Sequence, residues 1–426
     1  MKAFESIPEM SARTPLFLRD ARCATGRDGS GFTSLEITDG RISRVLNGPK
    51  AAWPASHQCT DIDLSGYLLM PGLINAHDHL EYSLHPRLAG PPYQNYIEWG
   101  EDIHAKFPEA IASHRAVPKG VRRWWGGIRN LLCGVTTVAH HNPLWPELQQ
   151  DTFPVRVVSQ FGWAHSLALG GDLYAARAAT PKGCPFILHA CEGVDLLAKN
   201  ELWELDRMGL LDRCTVLVHG LAIDREGVAL LNERGCSLVV CPSSNDFLFN
   251  QLPDLAILSG LRRIALGNDS PLTATGDLLD EVHFAVKHCG ITHKAAQRMV
   301  TTGAAQILCL RDGEGSISKS GVADVIAIRH AGATPFEQFE NLSTDDVELV
   351  IVGGRVQLAS DLILERLPRS IVEGLEPLSL GAAVRWVRAP VGELLHIAEA
   401  VLSEGGVRLG GRTVRAPAFS GAPHAC

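Results

Sequence analysis

At 426 residues, with 46% hydrophobic and 20% charged positions, the chain can bury a large core and has room for one big α/β domain and a smaller companion. A formal net charge of −8, without clustered Lys or Arg, argues against nucleic acid as a partner, and no run of about 18 apolar residues offers a membrane span. The stretch Met1–Met10 lacks a signal-peptide core, and eleven scattered cysteines without a CxxC pair point to thiols in a reducing cytoplasm rather than to a disulfide framework.

Residues 1–13 carry no periodic signal and read as a loose end. Short strands follow at Leu16–Cys23 and across Ser34–Leu46, where Asp39-Gly40 supplies the two positive-φ positions of a type I′ hairpin turn, and again at Thr60–Leu64. The apolar run Leu68–His79 reads as one buried strand. Beyond it, strands and helices alternate as in parallel βα units: strands at Val135–Ala139, Val155–Gln160, Phe186–His189, Thr215–His219, Ser237–Cys241 and Arg262–Asn268. Helices are expected at Asp195–Met208, Asp224–Arg234 and Gly276–Cys289. With Leu68–Asn75 this makes seven strands where a closed barrel needs eight, and Ala164–Leu169, followed by a helix at Asp172–Ala179, supplies the missing one. The β-rich style returns at Val322–Ile328 and at Val347–Leu358, folded at Gly353-Gly354. After Ser360 come Pro- and Gly-rich connections, an amphipathic helix at Val391–Leu402 suited to exterior packing or a homodimer contact, and a last hairpin at Val407–Val414.

Chemistry gathers at the strand ends. His77 and His79 are spaced i, i+2, so on an extended segment both imidazoles face the same way and can share a metal ion. Further strands end in His189, His219 and Asp269. In a βα barrel the strand C-termini meet in space, so residues far apart in sequence converge. Imidazoles and a carboxylate that leave one coordination position open let a divalent ion bring the pKa of water down to about 7. In such a site Asp269 can take a proton from the attacking water, and His219 can polarise the group under attack. Glu192, three residues after His189, lies within reach as a proton shuttle.

Taken together, the segments Pro71–His79, Gly134–Val138, His189-Ala-Cys-Glu192, Val218-His219, Cys241–Asn245 and Leu266–Ser270 resemble the amidohydrolase superfamily, in its chlorohydrolase and aminohydrolase branch with the cytosine and guanine deaminases. The resemblance runs from about Leu16 to Ser360. It implies a distorted (β/α)8 TIM barrel over residues 67–309, a composite β-sandwich from residues 14–66 and 310–370, and a C-terminal extension over 371–426. It also implies one divalent metal, zinc with iron as the alternative, held by His77, His79, His189 and Asp269, with His219 beside it. In the resembling deaminases the HxxE glutamate, here Glu192, protonates the ring nitrogen beside the attacked carbon and assists departure of ammonia.

Two departures bear on this. The bridging lysine of two-metal relatives has no counterpart, since Lys182 stands in the turn Thr180–Pro185, and Asn268 replaces a common threonine next to Asp269. Candidate substrate contacts are His140, His141, Trp163, His165 and Asn245, with His85, Trp99, Trp145, Phe247 and Phe249 in nearby loops. These suit a flat nitrogen heterocycle such as a purine, pterin or pyrimidine and point to its hydrolytic deamination. Hydrolysis of a cyclic amide or imide, a chlorotriazine-type reaction on the same metal, and a catalytically silent scaffold are the alternatives.

Overall fold

The computed structural model of the protein describes residues 14–23, 31–48, 59–402 and 406–417, so the loose end expected at residues 1–13 lies outside the described residues. The terminal strands are β1 (Leu16–Cys23), β2 (Phe32–Thr38), β3 (Arg41–Asn47) and β4 (Thr60–Asp63). Asp39 and Gly40, between β2 and β3, both take positive φ (51° and 77°), the backbone of the expected tight turn.

The run expected as one strand is two. Strand β5 (Tyr67–Pro71) pairs with β1, whereas β6 (Leu73–Asp78) starts a different, parallel sheet. Gly72 makes the crossing: a Cβ there would stand 2.2 Å from Thr136 Oγ1, so a residue with a side chain does not fit without displacing that threonine.

From β6 the chain alternates strands and helices. Strand β6 pairs in parallel with β7 (Val135–His140), and β7 with β8 (Arg156–Val157). A second parallel sheet holds β9 (Gly162–Ser166), β10 (Phe186–Ala190), β11 (Thr215–His219), β12 (Ser237–Val240) and β13 (Ile264–Leu266), each paired with the next in the chain. The two sheets approach at one end, where the His77 carbonyl accepts the Asn268 and Asp269 amides at 3.0 and 3.1 Å. Among the described residues no strand pairing joins β8 to β9, and β8 keeps two residues of the six expected at Val155–Gln160.

Local chemistry accounts for the returning helices. Asp195, Asp224 and Asp277 cap Leu196–Arg207, Arg225–Arg234 and Leu278–Cys289 by accepting first-turn amides. Gly235 and Gly290 end the last two in the left-handed conformation. Leu188, Leu217, Leu238, Val240 and Leu266 pack outward in one core with these helices. Ile187, Val216, Val218, Val239 and Ala265 pack together with the helix Thr302–Ile307. Truncating one of the fully buried leucines to alanine costs about 2–5 kcal/mol.

The large sheet is completed from the other end of the chain by β14 (Val325–Arg329), β15 (Val347–Val352), β16 (Arg355–Ala359), β17 (Glu376–Leu380), β18 (Ala383–Val387), β19 (Arg408–Leu409) and β20 (Arg412–Arg415). Its order is β19-β20-β17-β18-β16-β15-β14-β5-β1-β2-β3, with β4 beside β1. Residues read as a C-terminal extension thus supply four strands to this sheet, and their helix spans Val391–Glu399. The molecule is a mixed α/β fold with parallel sheets, and none of its described helices is long and apolar enough to cross a membrane.

Candidate active site

The C-terminal ends of β6, β10 and β11 and the turn after β13 meet, and the backbone is bent hard there. Cys191, His219 and Asp269 adopt φ of +56°, +74° and +54°. The left-handed region costs a residue with a side chain about 1–2 kcal/mol, and such strain persists where surrounding contacts hold it.

His77 Nε2 lies 3.3 Å from His189 Nε2 and 3.6 Å from Asp269 Oδ1. His79 Nε2 is also 3.6 Å from Asp269 Oδ1. Ligand atoms of His77, His79 and Asp269 lie within 4.8 Å of one another, and so do those of His77, His189 and His219. A tetrahedral ion with bonds of about 2.0–2.2 Å has ligand–ligand edges of about 3.3–3.6 Å, so the spacing suits a zinc-sized cation.

Hydrogen bonds decide which lone pairs face inward. His141 Nε2 is 2.8 Å from the Ala164 carbonyl and must donate to it. Its Nδ1 is then bare and accepts His77 Nδ1–H at 3.3 Å, which leaves the His77 Nε2 lone pair toward the cluster. Asp269 Oδ2 accepts Ser244 and Thr273 hydroxyls, both at 2.8 Å, leaving Oδ1 toward His77 and His79. Asn142 Nδ2 lies 3.1 Å from His79 Nδ1. Burial, reinforced by neighbouring imidazoles, holds His79, His141 and His189 well below the usual histidine range, so these rings are neutral and keep a lone pair to offer. Burial opposes ionisation of Asp269, yet the histidines around it, His77 first, hold its carboxyl well below the usual carboxylate range. Three imidazole nitrogens and one carboxylate are a donor set that fits a divalent ion.

A second pair stands beside this cluster. Glu192 Oε1 is 3.6 Å from His219 Nε2. His219 Nδ1 donates to Asn245 Oδ1 at 3.1 Å, so its Nε2 is bare and faces Glu192. Burial pushes His219 down to about 4. Burial, with Asp269 and Glu201 nearby, pushes Glu192 well above the usual carboxylate range, toward its protonated form.

The remaining candidates divide. His165 is half-buried, its ring centre 5.0 Å from that of His189, and Trp163 sets its edge against His141. Asn245 reaches the site through His219. His140 turns elsewhere: Nδ1 accepts the Leu80 amide and Nε2 points to Glu81 at 3.9 Å. His85 stacks near His114, Trp99 donates to the Leu88 carbonyl, Phe249 is buried with Tyr93, Arg87 covers Phe247, and Trp145 is exposed over Arg123. Lys182 is exposed in its turn ahead of β10.

Sequence reading missed the supports. Asp78 turns away from the histidines, and both its oxygens take Arg129 Nη2–H at 2.7 Å while Asn130 donates to Oδ2 at 2.7 Å. The signal for Arg129 was a charged residue inside the apolar end of the helix Lys119–Leu132, where it is 3% exposed. Asn75 ties Asp78 to Asn268, whose amide returns a bond to Asn75 Oδ1 at 3.2 Å.

Parallel βα strands whose ends carry a buried His/His/His/Asp cluster bring together a donor set that could hold a divalent ion. A family model described as "Amidohydrolase family" matches residues 164–357. The 5-methylthioadenosine/S-adenosylhomocysteine deaminase of Nitratidesulfovibrio vulgaris is 26% identical over 391 residues, covering 76% of this chain and 86% of its own. The 8-oxoguanine deaminase of Pseudomonas aeruginosa is 23% identical over 418 residues, covering 78% and 90%. Among solved structures, a zinc complex of atrazine chlorohydrolase from Arthrobacter aurescens superposes with a TM-score of 0.67 at 17% identity, covering 91% of this chain and 99% of that one. Residues 164–357 are thus similar to the amidohydrolase family, and the relatives similar to most of the chain's length include deaminases.

Proposed function

We propose that the protein is a metal-dependent hydrolytic deaminase of a small nitrogen heterocycle, purine types first. The observation that carries this reading is Glu192: a buried carboxyl set beside a bare imidazole nitrogen and next to a cation-sized cluster of donors, and pushed by burial toward its protonated form. Deamination of a ring amine needs a proton delivered to the ring nitrogen and then one to the departing ammonia, and an acid at this place gives the first and, recharged by a proton of the attacking water, the second.

His77, His79, His189 and Asp269 would hold one divalent ion, zinc in preference to iron. When bound, the ion supplies Lewis acidity that makes a water nucleophilic near neutral pH. The chain's own groups do the rest. Asp269 Oδ1 is positioned to receive the water's proton, because Ser244 and Thr273 occupy its other oxygen. Glu192 gives its proton to the ring nitrogen, and His219 Nε2, neutral by burial, orients the polar group under attack. Half-buried Trp163 and His165 offer flat surfaces to the heterocycle.

The same reading assigns β6 to β13 to one (β/α)8 barrel and the strands of both chain ends to a sandwich domain. The consecutive pairing order and the parallel bridge Asp78–Asp269 support it. A cytoplasmic location suits the free thiols of Cys133, Cys191, Cys236 and Cys241.

The test is ammonia release by the zinc-loaded protein from guanine, 8-oxoguanine, 5-methylthioadenosine, a pterin and cytosine, with metal analysis of the same sample. Release from at least one purine and one ion per chain are expected. Ring opening or dechlorination without ammonia would replace the deaminase by the cyclic-amide or chlorotriazine reaction, and two ions per chain would overturn the single-metal site.

A further inference from the structure

Glu192 is held through its backbone. Its carbonyl accepts the Tyr96 amide at 3.1 Å, and the amide of the preceding Cys191 donates to Glu201 Oε2 at 2.7 Å. The other oxygen of Glu201 accepts the Tyr96 hydroxyl at 2.9 Å. The Tyr96 hydroxyl in turn accepts the Ala168 amide at 3.3 Å, from the segment just after β9. Glu201 and Tyr96 therefore form one unit that grips the chain on both sides of the Cys191–Glu192 peptide. Both are buried, Glu201 3% exposed and Tyr96 2%.

The gripped residue is one that would otherwise relax. Cys191 sits at φ +56°, a conformation that a cysteine leaves when unconstrained. Its amide is held by Glu201 and its carbonyl accepts the Ala222 amide at 3.1 Å, so both its peptide groups are pinned. On the far side, Gly193 lies so close to the neighbouring chain that a Cβ there would be 2.5 Å from the Gln94 carbonyl oxygen. Asn95 pairs with Gly193 and donates to Asp195 at 2.8 Å.

We infer that the Tyr96–Glu201 pair is a positioning device for Glu192, holding Cys191 in its left-handed turn so that the next side chain enters the site beside His219. Neither residue reaches the cluster of donors itself. Tyr96 opens the helix Tyr96–Lys106, while Glu201 lies inside the helix Leu196–Arg207, so two helices set one acid. The inference rests on the deaminase reading of Glu192.

The test uses the full-length zinc-loaded protein and three variants. Glu201→Leu removes both acceptor oxygens, Glu201→Gln keeps one, and Tyr96→Phe removes the hydroxyl. On the panel substrate that the unaltered enzyme turns over fastest, kcat should fall about a hundredfold in Glu201→Leu and about tenfold in Glu201→Gln, with KM and zinc content within about twofold. Tyr96→Phe should lie between Glu201→Gln and the unaltered enzyme. Hydrogen exchange of the peptide spanning His189–Val194 should quicken in the same order, by at least about tenfold at the Cys191 amide in Glu201→Gln. Variants that bind zinc and keep full kcat, or whose loss falls in KM, would overturn the inference. Should Glu201→Leu fail to fold, Glu201→Gln and Tyr96→Phe decide by the same measurements. If the unaltered protein releases no ammonia from any panel compound, the deaminase reading falls, and exchange decides the clamp: an unchanged Cys191 amide in Glu201→Gln refutes it.

Discussion

His77 and Asp269 each spend their second polar atom on a neighbour, His141 for the one and Ser244 with Thr273 for the other, whereas the Glu192 carboxyl accepts no hydrogen bond from the described residues. The contrast follows from the tasks proposed for them. A metal ligand has to present one lone pair in one direction, and a second hydrogen bond fixes both the ring tautomer and the direction. An acid that serves first a ring nitrogen and then a departing amine has to swing, so its backbone is held and its tip is left free. Electrostatics separates the halves in the same way: histidine neighbours, against burial, drive Asp269 toward the ionised form, whereas burial and nearby carboxylates drive Glu192 toward the protonated one.

The sharpest way to break this comparison is Asp269→Asn, which keeps the shape and removes the charge. At least about a hundredfold loss of metal affinity, with turnover lost, is expected from titration and elemental analysis. A variant that keeps one ion per chain would take Asp269 out of the ligand set. Glu192→Gln should do the reverse, retaining the ion while ammonia release falls about 10²–10⁴-fold. Equal turnover in this variant would leave the swinging acid without a role. Thr273→Val gives the smallest effect and the finest resolution. With Ser244 still on Asp269 Oδ2, metal affinity should fall about 10-fold at fixed fold stability, and a change in kcat at saturating metal would mean that the support reaches the proton side as well.

The residues that meet in the candidate site were legible because they obey a short rule: an apolar run, then a histidine or an aspartate. Thr215–His219 is the same span in the structure as in the sequence reading, and its terminal imidazole faces Glu192. The division of Leu68–His79 at Gly72 was hidden, since two consecutive buried strands have the same apolar composition as one long strand. Strand β8 shrank to two residues because pairing partners, rather than β propensity, set where a strand ends. Supports such as Arg129 for Asp78 and Glu201 for Cys191 were out of reach for a further reason. Arg129 stands 51 positions after Asp78, and Tyr96 and Glu201 stand 105 apart, so their partnerships exist once the fold has formed, and the apolar setting of Arg129 in its helix signals burial without naming the partner. His140 shows the converse hazard, for it has the right residue type at a strand end and a side chain that turns toward Glu81.

The pairing of β5 with β14 has a consequence for how the protein is made. Tyr67–Pro71 leaves the ribosome early, yet the neighbour it binds, Val325–Arg329, emerges after the whole parallel-sheet region between them. At roughly 5–20 residues per second that is a wait of some tens of seconds with an apolar edge uncovered. The amino-terminal strands of a nascent chain are therefore the segment a holding chaperone would grip longest, and a ribosome stalled before Val325 would present them as an aggregation seed.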